Sequence, residues 1–267
     1  MTDHFAALAI EAGRAILAIR ARGAHCHLKG DGSPVTEADE AAEAILSAGL
    51  GALLPDVPLV AEEAAAAGRV PEIGPRFLLV DPLDGTREFI SGSGEFTVNI
   101  ALVENEFPIA GVVYAPALGA LYAGHVGLGA RAAIVDLSCG NIGDKISWSP
   151  IAVRDAAGRA PVAIGSRSHL TQETKDYVTR HKLEKFVSVG SSLKFCRVAE
   201  GAADLYPRLG RTMEWDTAAG DAILRAAGGR VVTLDGAPLV YGKRGQATDS
   251  DFANPWFIAA GGIDPLI

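Results

Sequence analysis

Apolar residues at Phe5, Leu8, Ala12, Ile16 and Ile19 recur at helical spacing, broken by Glu11, Arg14 and Arg20. The pattern predicts an amphipathic helix over about residues 3–22, stopped at Gly23. Residues 29–34 are loop chemistry, and Thr36-Glu37-Ala38-Asp39 then reads as a capping-box-like start of an Ala-rich helix reaching about Leu50. Two short apolar runs follow. The first, 58–61, ends at Glu62-Glu63, and the second, 77–80, ends abruptly at Asp81-Pro82. Both are expected strands.

From Thr97 the pattern changes. Runs over 97–103, 108–114 and 119–123 are joined by turns and predict an antiparallel meander. Residues 127–148 are poor in pattern and hold the expected boundary between an N-terminal α+β part, 1–147, and a C-terminal α/β part, 148–267. In the second part, strand-like runs at 162–165, 186–189 and 230–234 alternate with helical ones at 171–181, 191–203 and 216–227. Such alternation implies sheets covered by helices, and no internal repeat is present.

Composition narrows the class. Of 267 residues, 49% are hydrophobic and 21% charged, as in ordinary globular proteins. Aromatics are only 6%, so the packing must rely on small residues and close helix approach. The formal charge of −8 disfavours a nucleic-acid polymer as partner, because such binding needs a basic surface. It leaves room for a small phosphorylated substrate if metal ions invert the local charge. Cys26, Cys139 and Cys196 form no CxxC pair, which fits a reducing cytoplasm. The start of the chain lacks the basic residues of a signal peptide, and no apolar run is long enough to span a membrane.

Asp81-Pro82-Leu83-Asp84-Gly85-Thr86 is the most informative segment. An apolar run delivers Asp81 to a strand's carboxyl end, where α/β proteins place ligands, and Pro82 is expected to stop further pairing. Two carboxylates so close together, followed by Gly-Thr, suit a hard cation, and Gly85 and Thr86 would offer backbone N–H groups to a phosphate if they open a helix. Taken alone, the segment is equally an Asp-rich turn, and it matches poorly the D-x-D-G-T pattern of phosphatases with a nucleophilic Asp. Asp216 alone reads as a helix N-cap, and Asp39 as first-turn dipole complement. His25 and His27 read as surface residues.

The three segments together change that reading. Val60-Ala61-Glu62-Glu63, Asp81 to Thr86 and Trp215-Asp216-Thr217-Ala218-Ala219-Gly220 match, in order and spacing, the inositol monophosphatase and fructose bisphosphatase superfamily of lithium-sensitive, Mg²⁺-dependent phosphatases. Within it, Ser33 to Asp39, Gly94 to Val103, Ser166 to His169, Gly190 to Cys196 and Leu205 to Arg208 resemble the bacterial CysQ-type 3′(2′),5′-bisphosphate nucleotidases. No motif matches residues 124–145.

The resemblance implies a layered αβαβα sandwich of the sugar-phosphatase type and hydrolysis of adenosine 3′,5′-bisphosphate, a by-product of sulfate activation, to AMP and phosphate. It implies that Glu62, Asp81, the Leu83 carbonyl, Asp84 and Asp216 hold two or three Mg²⁺ ions. Glu62 and Thr86, the latter in contact with Asp39, would orient the attacking water. Gly85, Thr86 and the metal ligands would meet the phosphate. Lys194, on a helix face, would hold the 5′-phosphate, and His169 would stack on adenine, with Arg208 a weaker candidate for orienting substrate. The resemblance also admits a homodimer and peripheral attachment to the cytoplasmic face of the inner membrane. The rival readings are an inositol-1-monophosphatase or other sugar phosphatase on the same metals, and a catalytically silent nucleotide or metal sensor.

Overall fold

The computed structural model describes residues 1–28, 34–136, 146–155, 158–168 and 170–265. The chain opens with α1 (Thr2–Arg22) and a hairpin of β1 (Cys26–Leu28) and β2 (Pro34–Thr36), then α2 (Glu37–Leu53), β3 (Leu59–Ala61) and the short α3 (Glu62–Ala66). β4 (Arg76–Asp84) and α4 (Thr86–Ile90) precede the meander β5 (Thr97–Glu104), β6 (Phe107–Ala115), β7 (Ala120–His125), β8 (Gly129–Ile134) and β9 (Ser149–Ile151). The remainder comprises β10 (Val162–Ser166), α5 (Gln172–Arg180), β11 (Lys185–Val189), α6 (Leu193–Ala199) and β12 (Leu205–Arg208). It closes with α7 (Glu214–Ala226), β13 (Arg230–Thr233) and β14 (Phe257–Ala260).

β3 to β9 form a seven-stranded sheet in sequence order, antiparallel except for the parallel β3–β4 pair. Strand alternation divides its side chains cleanly. Leu78, Val80, Ile100, Leu102, Val112 and Tyr114 pack with Phe5, Ile16, Leu46 and Leu50 of α1 and α2. Phe77, Leu79, Val103 and Val113 instead pack with Ala218, Ala219 and Ile223 of α7. The second sheet has the order β11-β10-β12-β14-β13. Its Ile164, Tyr206, Phe257 and Ala259 close the other side of α6 and α7, and Ala163, Leu205 and Ile258 meet Tyr177 of α5 on its far face. The result is the expected five-layer αβαβα stack. Each fully buried Leu, Ile or Phe contributes about 1.5–3 kcal/mol to holding the layers together.

The reliance on small residues is visible where α7 lies on the first sheet. A Cβ on Gly111 would sit 2.4 Å from the Ala219 carbonyl oxygen, so glycine there lets the helix backbone touch the sheet. No helix among the described residues is long and apolar enough to cross a membrane.

Several boundaries differ from expectation. β4 does not end at Asp81-Pro82. It pairs Asp81 with Asn99 and then Asp84 with Thr97, and the register shift between them leaves Pro82 and Leu83 in a bulge where a missing N–H costs no ladder bond. Glu62 opens α3 instead of ending β3, and α7 starts at Glu214, not Asp216. The helix expected over 191–203 is shorter, Leu193–Ala199. β8 falls inside the stretch read as patternless, and β14 was not anticipated.

Candidate active site

Local backbone features deliver the acidic residues to one cavity. The β4 bulge presents Asp81 and Asp84, with the Leu83 N–H donating to Asp81 Oδ1 at 2.9 Å. Gly85, at φ 91°, caps α4 and turns the chain so that Thr86 begins the helix. Glu62 stands at the β3–α3 junction. Asp216 is the third residue of α7, and its Oδ2 accepts the Met213 N–H at 2.8 Å in a capping-box arrangement. It is thus an internal cap of the first turn and not the N-cap residue itself. Together with Lys194, Tyr206 and Arg208, these residues line a cavity of about 610 Å³.

One carboxylate oxygen each from Glu62, Asp81 and Asp216 lie within 4.8 Å of one another. Asp84 stands beside this trio, its Oδ2 accepting the backbone N–H of Ser192 at 2.6 Å. The energetic signature is repulsion in a dry place. Burial first, then Glu62, Asp84 and Asp216, push the Asp81 carboxyl well above the ordinary range. Asp216 is pushed up to about 8 by burial and by Asp84 and Glu62, against the Met213 N–H. Asp84 reaches about 6, where burial wins over the opposing pull of Lys194 and the Ser192 N–H. Converging carboxylates that resist ionisation are what a hard, oxygen-loving dication relieves, so this donor set fits Mg²⁺.

Asp39 and Thr86 meet although they belong to different elements. The Thr86 hydroxyl donates to Asp39 Oδ1 at 3.2 Å, while Asp39 Oδ2 takes the Thr36 N–H and hydroxyl, each at 2.7 Å. The capping box read in the sequence is therefore formed, and it holds a buried carboxylate whose pKa burial raises. Thr86 Oγ also lies 3.4 Å from the Leu83 carbonyl oxygen.

Lys194 departs from its expected setting. It is buried on α6, donates to the Ser191 carbonyl, lies 5.4 Å from the Tyr206 ring centroid and faces Asp84. Burial lowers its pKa to about 8 against the pull of Asp84. The carboxylates consequently have a compensating base close by, which spacing alone did not indicate. Arg208 joins it on the same wall. His169 lies outside the described residues. Reading the chain missed Ser192, whose N–H reaches Asp84; its place between Gly190 and Lys194 was the only available signal.

Fold and site together define the class: a five-layer α/β sandwich with an acidic cavity at the junction of its sheets. The inositol monophosphatase family matches residues 1–261, and the chain belongs to that family. It is 44% identical to the 3′(2′),5′-bisphosphate nucleotidase CysQ of Escherichia coli (strain K12), covering 96% of this chain and 98% of that one. The crystal structure of CysQ from Bacteroides thetaiotaomicron superposes with a TM-score of 0.75 at 38% identity, covering 96% of this chain and 95% of that one. An inositol monophosphatase from Thermotoga maritima reaches a TM-score of 0.74 at 25% identity, with 97% and 91% covered.

Proposed function

We propose that the protein is a Mg²⁺-dependent phosphomonoesterase that removes the 3′-phosphate of adenosine 3′,5′-bisphosphate, yielding AMP and phosphate. The observation that carries this is one cavity lined both by four acids, Glu62, Asp81, Asp84 and Asp216, and by two bases, Lys194 and Arg208. The acids suit a phosphate held through cations, and the bases suit a second phosphate on the same molecule. The 44% identity to an enzyme named for bisphosphate nucleotides points the same way.

Glu62, Asp81, the Leu83 carbonyl, Asp84 and Asp216 would hold two or three Mg²⁺, which when bound supply charge neutralisation for the phosphoryl group and acidify a water. The chain's own groups position the rest. Thr86 donates to Asp39, which leaves its hydroxyl oxygen oriented to accept a proton from the attacking water, with Glu62 alongside. That water's oxygen forms the new bond to phosphorus as the bond to the 3′-oxygen breaks, and the leaving oxygen takes a proton from solvent. Gly85 and Thr86, at the start of α4, line the cavity, and their N–H groups would meet the phosphate. Lys194 and Arg208 would anchor the 5′-phosphate, Lys194 as a point charge. The unpaired cysteines Cys26 and Cys196 suit a reducing cytoplasm.

Phosphate release with Mg²⁺ should be fastest, by kcat/KM, on adenosine 3′,5′-bisphosphate, ahead of its sulfonated precursor, inositol 1-phosphate and fructose 1,6-bisphosphate. Li⁺ should inhibit where Na⁺ at equal ionic strength does not. A preference for inositol 1-phosphate would replace the nucleotide reading, and no release from any ester would indicate a sensor.

A further inference from the structure

The turn joining β11 to α6 makes contacts that the roles above do not use. Ser192 is 2% exposed, and its hydroxyl lies 2.7 Å from Thr97 Oγ1 and 2.6 Å from Asn99 Oδ1, both on β5 of the other sheet. Asn99 Oδ1 can only accept, so the Ser192 hydroxyl donates to it and the Thr97 hydroxyl donates to Ser192. The backbone N–H of the same serine donates to Asp84 Oδ2 at 2.6 Å. The Gly190 N–H donates to Glu95 Oε2 at 2.7 Å. A Cβ on Gly190 would fall 2.6 Å from the Glu95 carbonyl oxygen, so the turn is pressed against the segment that leads into β5 as closely as backbone allows. Between them Ser191 takes φ 47°, a left-handed conformation that needs such support, and its carbonyl receives Lys194.

We propose that Ser192 is a positioning residue for the metal site. The relay Thr97–Ser192–Asn99 holds its N–H on Asp84 Oδ2, which commits that oxygen and leaves Oδ1 for a cation. The same turn sets Lys194 opposite Asp84, so one hydroxyl couples the acids of the cavity to its bases. A small outward shift of the turn would release Asp84 to rotate and would move Lys194 with it. The inference rests on the phosphatase reading for its substrate and on the carboxylate cluster for its metal.

The test uses Mn²⁺ as a spectroscopic stand-in for Mg²⁺, with free Mn²⁺ counted by electron paramagnetic resonance in the absence of substrate. Thr97→Val removes the hydroxyl at nearly constant shape, Ser192→Ala removes the centre of the relay, and Thr97→Ser keeps the donor. The first two should weaken Mn²⁺ binding about 10-fold, the loss typical of outer partners of metal ligands, and raise KM for adenosine 3′,5′-bisphosphate. Thr97→Ser should behave as wild type. Thr97→Val and Ser192→Ala proteins that melt at lower temperature but bind Mn²⁺ and substrate like wild type would overturn the proposal and leave a purely structural relay. A wild-type protein that binds Mn²⁺ with these variant effects yet releases no phosphate would refute the activity and not the positioning. Wild-type protein that binds no Mn²⁺ would overturn both.

Discussion

Asp216 and Asp221 lie on the same helix, the first half-buried at the cavity and the second fully buried, in opposite surroundings. Asp221 receives Arg225 Nε at 2.7 Å, Arg225 Nη2 at 3.2 Å and the Tyr241 hydroxyl at 3.0 Å, so both its oxygens are served. Asp216 has the Met213 N–H at 2.8 Å and faces Asp84 and Glu62, with Arg208 as a weaker opposing charge. Burial raises the pKa of each, but at Asp221 the Arg225 guanidinium is the main opposing influence, whereas at Asp216 the like charges of Asp84 and Glu62 add to burial and outweigh Arg208. Burial therefore does not distinguish a working carboxylate from a structural one. The distinction is the partner: one acid is paired within its own helix, and the other faces mainly like charges from other elements.

The sharpest test of the contrast removes a charge from the repelling group. Asp81→Asn should lower kcat/KM by more than about 100-fold if, as proposed, Asp81 holds the metal, while raising the melting temperature in EDTA, because repulsion is relieved. Unchanged phosphate release in this variant would break the assignment. The opposite pattern is expected at the paired acid. Asp221→Ala should cost about 3 kcal/mol in urea denaturation, as removal of one member of a buried pair strands the other. Its kcat/KM per folded molecule should hold; a large activity loss without destabilisation would erase the distinction between the two acids.

Among the bases, Lys194→Ala removes a charge-assisted contact worth ~1.5–3 kcal/mol. That predicts roughly 10- to 150-fold lower kcat/KM on adenosine 3′,5′-bisphosphate, with little change on 3′-AMP, which lacks the 5′-phosphate. An equal loss on both would mean that the lysine acts through Asp84. A further effect is on the pH dependence of the metal-free fold. Asp84 and Asp216 bind protons up to about 6 and about 8 when folded, against ~3.9 for an unfolded aspartate. Between those limits the folded state holds more protons, so stability falls as pH rises through that window. Melting curves in EDTA should drop from pH 4 to 8, and saturating Mg²⁺ should flatten the slope. A melting temperature that climbs over this range without metal would contradict the repulsion.

Much of the architecture was legible because its signals are local. The i, i+3, i+4 spacing of α1, the Thr36–Asp39 capping box and the long apolar runs of β5 and β6 each reside within a few neighbouring residues. β14 was not legible, because its run, Phe257 to Ala260, has only 4 residues, ends in two alanines and, being buried on both faces, shows no alternation to make up for its shortness. β8 was hidden by its alanines, which carry little polarity contrast. Proline at position 82 suggested a strand end, since a register shift that accommodates it depends on the partner strand.

The sequence by itself determined the chemistry on offer. Asp81, Asp84 and Gly85 are placed by one bulge and one turn, and Asp216 by one helical turn, so the supply of hard oxygen ligands is written in short segments. Only the tertiary structure decided which charges face each other. The Lys194–Asp84 approach, the Asp39–Thr86 contact and the Ser192 relay join residues remote in sequence. Electrostatic energy depends on separation and local dielectric, not on position along the chain. Those quantities exist only once the two sheets have closed around α6 and α7.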